Sequence, residues 1–430
     1  MGDRVTAVAV ILAGGKGTRA ADPSTAKVVQ VLGGATLLEW HLRTLEQSEI
    51  TDVIIVSGHL GDQVRDAVER INTHGLRVTV LQEEDQRGTT AALTFAASTT
   101  DTDEFLVILG DILMSLPIQD FINQWRASAR SVGVVVHPST HPADSDAVFQ
   151  SHEGTVHIAP KGQQREHIPN LSSAGLFAVN RWALEKYGES KDLGSNVLQA
   201  AAHESDLFVF LTSHYMKDTG TPDRLRSAES DIASGAFANR GSLEPRPALF
   251  LDRDGVINPS QPEVYRPEHF ALLPGVAEAI KTANSSGVPV IVVTNQPGIA
   301  KGFMTFNDHQ RIRARMDQLL GEHGAFVDDY LFCPHHPDSG FEGEVIELKG
   351  RCECRKPGTE LGTLAATRHT INLEASVMVG DTDRDRGFAE GLGVRFLYAG
   401  DSENGYSEGN ELADSPATIL RGLERIAEAS

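Results

Sequence analysis

Short apolar runs alternate along the chain with amphipathic stretches of helical period, and the order in which they alternate predicts the architecture. An apolar run over residues 6–12 reads as a buried strand that ends in Gly14-Gly15-Lys16-Gly17. Leu37 to Leu45 then reads as a helix and Val53 to Val56 as a strand, followed by a helix near Gln63 to Arg70 and a strand at Arg77 to Leu81. A helix at Thr90 to Ala97 and a strand at Phe105 to Leu109 continue the series. Strand and helix in strict alternation predict an α/β fold with a doubly wound, mostly parallel sheet.

From about Ser234 to Pro247 the pattern breaks, and SGAFANRGSLEPRP has no period and many turn formers. A second alternating series then starts at Ala248 to Leu251 and includes Val288 to Val293 and Ser376 to Val379. The expected organisation is a first α/β domain over 1–235, a linker over 236–247 and a second α/β domain over 248–430. At 430 residues the chain has length for both cores, and 40% hydrophobic with 23% charged residues is globular composition.

A net charge of −21 opposes binding to nucleic acid or an anionic membrane, and no Lys/Arg run offsets it. Anionic small molecules stay compatible, because a bound cation or a ring of backbone amides reverses the field locally. No apolar run approaches the roughly 20 residues that span a bilayer, and the N-terminus shows no basic leader with an apolar stretch and cleavage site. A cytoplasmic location is the expectation; self-association into a homo-oligomer is left open.

The strand Ala248 to Leu251 delivers Asp252-Arg253-Asp254-Gly255 at its C-terminal end, where open parallel sheets bind ligands. Asp252 can attack phosphorus, and Asp254 can protonate the leaving oxygen and later deprotonate water. A carboxylate attacks an anionic phosphate poorly unless a cation neutralises charge. Asp381, after the apolar run Val377 to Gly380, can hold Mg²⁺ together with Asp252, and Asp385 can support the site one helical turn on. Thr294 and Asn295, at the end of another strand, offer a hydroxyl and an amide to phosphate, and Arg355 and Lys356 add positive charge.

Taken in order, these motifs resemble those of the haloacid dehalogenase superfamily. The resemblance spans the second domain and implies Asp252 as nucleophile, Asp254 as acid/base, Thr294 and Lys356 as phosphate binders, and Mg²⁺ held by Asp252, Asp381 and the Asp254 carbonyl.

All three cysteines fall in Cys333-Pro334-His335-His336 and Cys352-Glu353-Cys354, a pattern that supplies three thiolates and an imidazole for a closed, structural Zn²⁺ site. Residue chemistry leaves His335 and His336 equally placed. These segments and Thr294 to Gly302 look like the D,D-heptose 1,7-bisphosphate phosphatase family, with histidinol-phosphate phosphatase as its nearest relative; the resemblance favours His335. The loop Pro337 to Arg351 is longer than that family's pattern. The zinc loop leads directly into Arg355 and Lys356 and is expected to position them.

At the other end, Gly14, Gly15 and Gly17 let backbone amides approach a triphosphate, with Thr18 beside them and Arg19 adding charge. Leu-Ala-Gly-Gly-Lys-Gly-Thr-Arg is close to the signature of sugar-1-phosphate nucleotidyltransferases, whose Rossmann-like fold the first domain is expected to share. Gly88-Thr89, Leu109-Gly110-Asp111, Ser173-Ala174-Gly175 and Lys217-Asp218-Thr219-Gly220 agree in order. The resemblance implies Mg²⁺ on Asp111 and Asp218, Gly88 near the base and Gly175 on the sugar side, with Arg19 and Lys27 neutralising the triphosphate. Where that family has Pro-Lys, this chain has Ala26-Lys27, and Ser173 replaces the family's Asn.

Together the two resemblances imply one enzyme with consecutive reactions. Heptose 1,7-bisphosphate loses its 7-phosphate, and the heptose 1-phosphate is coupled to a nucleoside triphosphate, GTP favoured over ATP. The alternatives are a phosphatase for another phosphomonoester, such as histidinol phosphate, beside an independent transferase, or a first domain that only senses its ligand.

Overall fold

The computed structural model describes residues 6–15, 24–58, 60–85, 87–140, 146–162, 168–188, 191–399 and 415–429. They divide into two compact units, Met1–His137 with Ser145–Lys161 and Ser172–Gly241, and Pro138–Asp144 with Gly162–Leu171 and Ser242–Ser430.

In the first unit the strand Val8–Ala13 lies parallel to Asp52–Ser57 on one side and Glu104–Leu109 on the other, and Arg77–Gln82 extends the ladder. Ala9, Val10 and Ile11 are fully buried, as a strand with both faces covered requires. Val10 and Ile11 each contribute about 1.5–3 kcal/mol on burial, so the loops that leave these strands start from fixed points.

The parallel order does not persist across all nine strands. Ser172–Asn180 runs antiparallel to Glu104–Leu109 and to Val132–His137, and Ala147–Gln150 pairs antiparallel with Val156–Ala159. Only the last of these pairs is a hairpin with a short connection; Ser172–Asn180 reaches its two neighbours from far along the chain. A separate two-stranded ladder, Ile112–Ser115 with Tyr215–Asp218, opposes Asp218 to Ile112.

The stretch 236–247, expected as a linker, begins inside the first unit. Gly235 ends the helix Pro222–Ser234 in the left-handed region, and a short helix, Ala236–Gly241, follows. Phe237 packs edge-on against Trp40 at 5.0 Å and Tyr215 at 4.9 Å, and the Gly241 carbonyl accepts from Ser115 Oγ at 2.8 Å. One aromatic with two aromatic partners fixes a helix too short to show a period.

The second unit is wholly parallel: Asp329–Cys333, Val290–Asn295, Leu249–Leu251, Val377–Gly380 and Arg395–Tyr398, in that spatial order. The earliest strand in sequence is thus the central one. Leu249, Phe250 and Leu251 are fully buried, and the three central strands end side by side at Asp252, Asn295 and Asp381.

Candidate active sites

The Asp252 backbone N–H still donates to Val379 O at 3.0 Å, so the first residue past the central strand is pinned to the strand that leads to Asp381. Asp252 Oδ1 accepts from the Arg253 N–H at 2.7 Å and lies 3.1 Å from Lys356 Nζ. Lys356 is almost wholly buried. Its ammonium also donates to Val293 O at 2.7 Å and pairs with Asp385 Oδ1 at 2.5 Å. Three donors therefore meet three acceptors.

Asp385 is held in turn, because its Oδ2 accepts from the Thr382 backbone N–H at 3.0 Å and from the Thr382 hydroxyl at 2.6 Å. Burial disfavours the Lys356 charge, but Asp252 and Asp385 overcome that penalty and keep its pKa above the usual lysine value.

Carboxylates outnumber cations here. Burial first, and the neighbouring Asp385, Asp381 and Asp254 charges against the pull of Lys356, push Asp252 up to about 7. Burial and Asp385 push Asp381 up to about 6. Oxygens of Asp252, Asp381 and Asp385 come within 4.8 Å of one another. Those of Asp385 are engaged by Thr382 and Lys356, so Asp252 and Asp381 are the pair that fits a divalent cation. Their approach depends on Gly255, which sits at φ +83°: a Cβ there would lie 2.0 Å from Asp381 Oδ2.

Asp254 is in the opposite electrostatic state. Burial alone would raise its pKa, but Arg253 and hydrogen bonds from Asn258 and Gln296 hold it below the usual value. Arg253, one of the largest fully buried side chains, grips both Asp254 oxygens at 2.9 Å. Gln296 Nε2 donates to Asp254 Oδ2 at 2.8 Å and to Thr294 Oγ1 at 3.0 Å. Arg253 had no role in the sequence reading beyond its place between the two aspartates; Gln296 closes the run Thr294-Asn295-Gln296, whose hydroxyl and amide suit phosphate.

Asn295 lines the same cavity as Asp252 and Asp254 and also holds the lysine in place. Its Nδ2 donates to Lys356 O at 3.1 Å and its Oδ1 accepts from Lys356 N at 3.0 Å. Both ends of the amide are engaged by the lysine's backbone, so Asn295 positions Lys356.

Asp252, Asp254, Thr294, Lys356 and Asp381 line a cavity of about 360 Å³, and Arg355, Arg384, Lys301 and His336 line it too. Arg384 and Lys301 carried no role in the sequence reading.

Behind this cavity the cysteines converge as expected. Sγ of Cys354 lies 3.3 Å from those of Cys333 and Cys352, Cys333 and Cys352 are 3.6 Å apart, and His335 Nδ1 is 3.2 Å from Cys354 and 3.6 Å from Cys333. A tetrahedron with metal–sulfur bonds of about 2.3 Å has sulfur–sulfur edges of roughly 3.7 Å, so the donor set fits a four-coordinate soft cation. Burial, and then the neighbouring thiols, push Cys354 well above the ordinary thiol range, and burial pushes Cys333 up to about 11. His335 completes the cluster. His336 turns elsewhere, its Nδ1 accepting from the Asp338 N–H at 3.2 Å. Arg355 Nη1 donates to His335 O at 3.3 Å, which ties a cavity cation to the cluster.

In the first unit, Thr219 donates to Asp111 O through both its N–H and its hydroxyl, each at 2.8 Å. This brings the two short strands' acidic ends together. Lys27 Nζ pairs with Asp111 Oδ2 at 2.7 Å, while Asp218 pairs with Arg224 and accepts from the Gly220 N–H at 2.5 Å. A Cβ on Gly220 would stand 2.9 Å from Asp218 Oδ1, 3.1 Å from Asp111 Oδ2 and 3.4 Å from Lys27 Nζ. Asp111, Asp218 and Lys27 therefore surround one small space, with two carboxylates that fit a cation shared with phosphates.

His41, unnoticed in the sequence, places Ile112 next to Asp111: its Nε2 meets Ile112 O at 2.6 Å. Burial lowers its pKa to about 4, so the imidazole is neutral and Nε2–H is the donor.

Gly14 and Gly15 follow the first strand, and among the described residues nothing lies within 4 Å of where a Gly15 Cβ would be. Gly17, Thr18 and Arg19 lie outside the described residues. Gly88, at φ +114°, admits the Lys191 carbonyl, which a Cβ would meet at 2.1 Å. Thr89 Oγ1 accepts from the Leu193 N–H at 2.8 Å, so this pair secures the 191–193 loop. Gly175, at φ +76°, lies within an irregularity of its strand where a Cβ would strike Ile112 at 2.4 Å.

Residues 8–235 match the Nucleotidyl transferase family, and residues 353–426 match the HAD-hydrolase-like family. The chain is 36% identical over 185 residues to the D-glycero-beta-D-manno-heptose-1,7-bisphosphate 7-phosphatase of Yersinia pestis, covering 43% of this chain and 96% of that relative. It is 35% identical over 212 residues to the protein of the same name from Mesorhizobium japonicum, covering 49% and 90%. The crystal structure of HddC from Yersinia pseudotuberculosis is similar at a TM-score of 0.46 and 21% identity, over 53% of this chain and all of that one. No described helix is long and apolar enough to cross a membrane. The chain thus belongs to the nucleotidyl transferase family through its first domain and to the heptose-bisphosphate 7-phosphatases of HAD type through its second, and is a bifunctional sugar-phosphate enzyme.

Proposed function

We propose that the second domain removes the 7-phosphate of a D-glycero-D-manno-heptose 1,7-bisphosphate and that the first couples the resulting heptose 1-phosphate to a nucleoside triphosphate, with release of pyrophosphate. The observation that carries the first half is a group of cations on the cavity wall beyond the lysine that pairs with Asp252. Lys356 serves the nucleophile, and Arg355, Arg384 and Lys301 remain on the walls, more charge than one phosphoryl group needs and suited to a second anionic group on the same substrate.

In this reading Asp252 attacks phosphorus in line and the bond to the sugar oxygen breaks. Asp254 supplies the proton to the leaving oxygen and then takes one from the water that hydrolyses the aspartyl phosphate. Asp254 rests ionised, so the proton it passes to the leaving oxygen enters with the substrate, on a phosphate monoanion, and once that proton is given up Asp254 is again the base the second step requires. Mg²⁺ on Asp252, Asp381 and the Asp254 carbonyl would neutralise phosphate charge. Zn²⁺ on Cys333, His335, Cys352 and Cys354 would be structural, fixing the carbonyl that holds Arg355.

In the first domain both reacting atoms belong to substrates, so the protein's part is orientation and charge. Lys27 and Arg19 neutralise the triphosphate, Asp111 and Asp218 hold Mg²⁺, and Gly14, Gly15, Gly17 and Thr18 cradle phosphates. A purine triphosphate, GTP ahead of ATP, is the expected donor. Purified protein with Mg²⁺, a heptose 1,7-bisphosphate and the four triphosphates tests this directly by product mass. Absence of phosphate release, or of pyrophosphate release from heptose 1-phosphate with every triphosphate, would refute the corresponding half.

A further inference from the structure

We propose that Gln63 is a positioning residue of the nucleotidyltransferase site: its side-chain amide ties down the turn over residues 24–26 and so places Lys27 against Asp111 and Asp218. The proposal rests on the assignment of Lys27 to the triphosphate.

Lys27 opens a 3₁₀ turn of only three residues, Lys27–Val29, too short to fix a cation by its own hydrogen bonds. The residue before it, Ala26, sits at φ −62° and ψ 130°. That is the φ a proline ring would impose, but alanine has no ring to impose it and loses more freedom on being held there.

Gln63 supplies the restraint from outside. Its Nε2 donates to Ser24 O at 2.8 Å and its Oε1 accepts from the Ala26 N–H at 3.0 Å. One amide thus engages the carbonyl and the N–H of alternate residues, as a neighbouring strand would. The two contacts fix the orientation of the amide, since reversal would set donor against donor and acceptor against acceptor.

The anchor is rigid. Gln63 lies in the first turn of the helix Gly61–Arg70, beside fully buried Val64. On the other side of the clamp, Ala26 and Val28 are buried in the same core as Val64, which leaves Lys27 as the polar residue between two apolar fixings. A proline at position 26 has no N–H and cannot use this clamp, so ring and amide are alternative ways of setting one backbone angle.

Gln63→Met keeps the length and removes both hydrogen bonds. In the full chain, kcat for pyrophosphate release is expected to fall roughly 10–100-fold with little change in the KM for triphosphate, the scale of a small misplacement of a reacting group. Amide exchange at Ala26 should accelerate while the strand Val8–Ala13 stays protected. Adding Ala26→Pro to Gln63→Met should restore kcat, because the ring resets φ. Adding Gln63→Met to Lys27→Met should cost nothing further.

Unchanged kcat in Gln63→Met, failure of Ala26→Pro to restore it, or a further loss on top of Lys27→Met would each overturn the proposal. If the unaltered protein releases no pyrophosphate with any sugar phosphate, the assigned reaction fails instead. The clamp is then judged by exchange alone, and unchanged protection at Ala26 refutes it.

Discussion

The two catalytic centres of this chain handle charge in opposite ways. In the phosphatase, Asp252, Lys356 and Asp385 are buried and bonded to one another before any substrate arrives. In the transferase, Lys27, Asp111 and Asp218 remain between about a fifth and a half exposed. Under the proposed reactions the difference follows from which molecule supplies the nucleophile. A protein carboxylate that must attack phosphorus has to be stripped of water and aimed in advance. Where a sugar phosphate attacks a triphosphate, the chain supplies only counter-charges, and their final order comes with the ligands.

Asp252→Asn should separate the centres most sharply. Phosphate release is expected to fall by at least about 10⁴-fold, as for loss of other covalent nucleophiles, while pyrophosphate release is unchanged; parallel assays of the two products check this. Equal loss of both would show that the centres are not independent.

The contrast in burial makes a second prediction, in stability. Lys356→Met leaves Asp252 and Asp385 without their cation and should destabilise the second domain by about 3–5 kcal/mol. Lys27→Met, at a partly exposed pair, should change stability by less than about 1 kcal/mol and yet impair pyrophosphate release. Denaturant titration of both variants measures the pair of values, and equal costs would erase the distinction.

Cys352→Ala should reduce phosphate release by roughly 10–100-fold, the usual effect of disturbing groups that orient a site, and leave pyrophosphate release intact. A zinc-selective chelator, with Mg²⁺ kept in excess, should mimic it.

The smallest effect concerns His41. Its pKa, lowered from 6.5 to about 4 by burial, means that the unfolded chain binds the extra proton first as pH falls. Its contribution to stability is therefore present above pH 6.5 and is lost on acidification. Between pH 7 and 5.5 the first domain should lose about 1 kcal/mol, and His41→Gln should remove that slope in unfolding curves taken across the range.

Much of this was legible in the sequence, for a physical reason. Asp252, Thr294 and Asp381 could be located because apolar runs announce parallel strands and such strands present their C-terminal ends to ligands. The cysteine cluster was legible because thiolate pairs at short spacing have few other uses. The hold of Asn295 on Lys356 was not legible, because nothing local reveals that its amide reaches the backbone of a residue 61 positions away. Gln63, His41 and Arg384 were silent for the same reason: their roles exist only once distant elements have met. The helix Ala236–Gly241 was hidden by its length, since six residues cannot display a period and only Phe237's aromatic partners explain its order.

The central place of the strand Leu249–Leu251 bears on how the protein is made. Its two sheet neighbours are Val290–Asn295 and Val377–Gly380, so on the ribosome the strand leading to Asp252 emerges long before its second partner and cannot be closed into the sheet until that partner follows. Contacts this distant in sequence are slow to form. The first domain can close its parallel ladder with residues up to Leu109, which makes it the half able to begin ordering its sheet while the phosphatase half is still being synthesised.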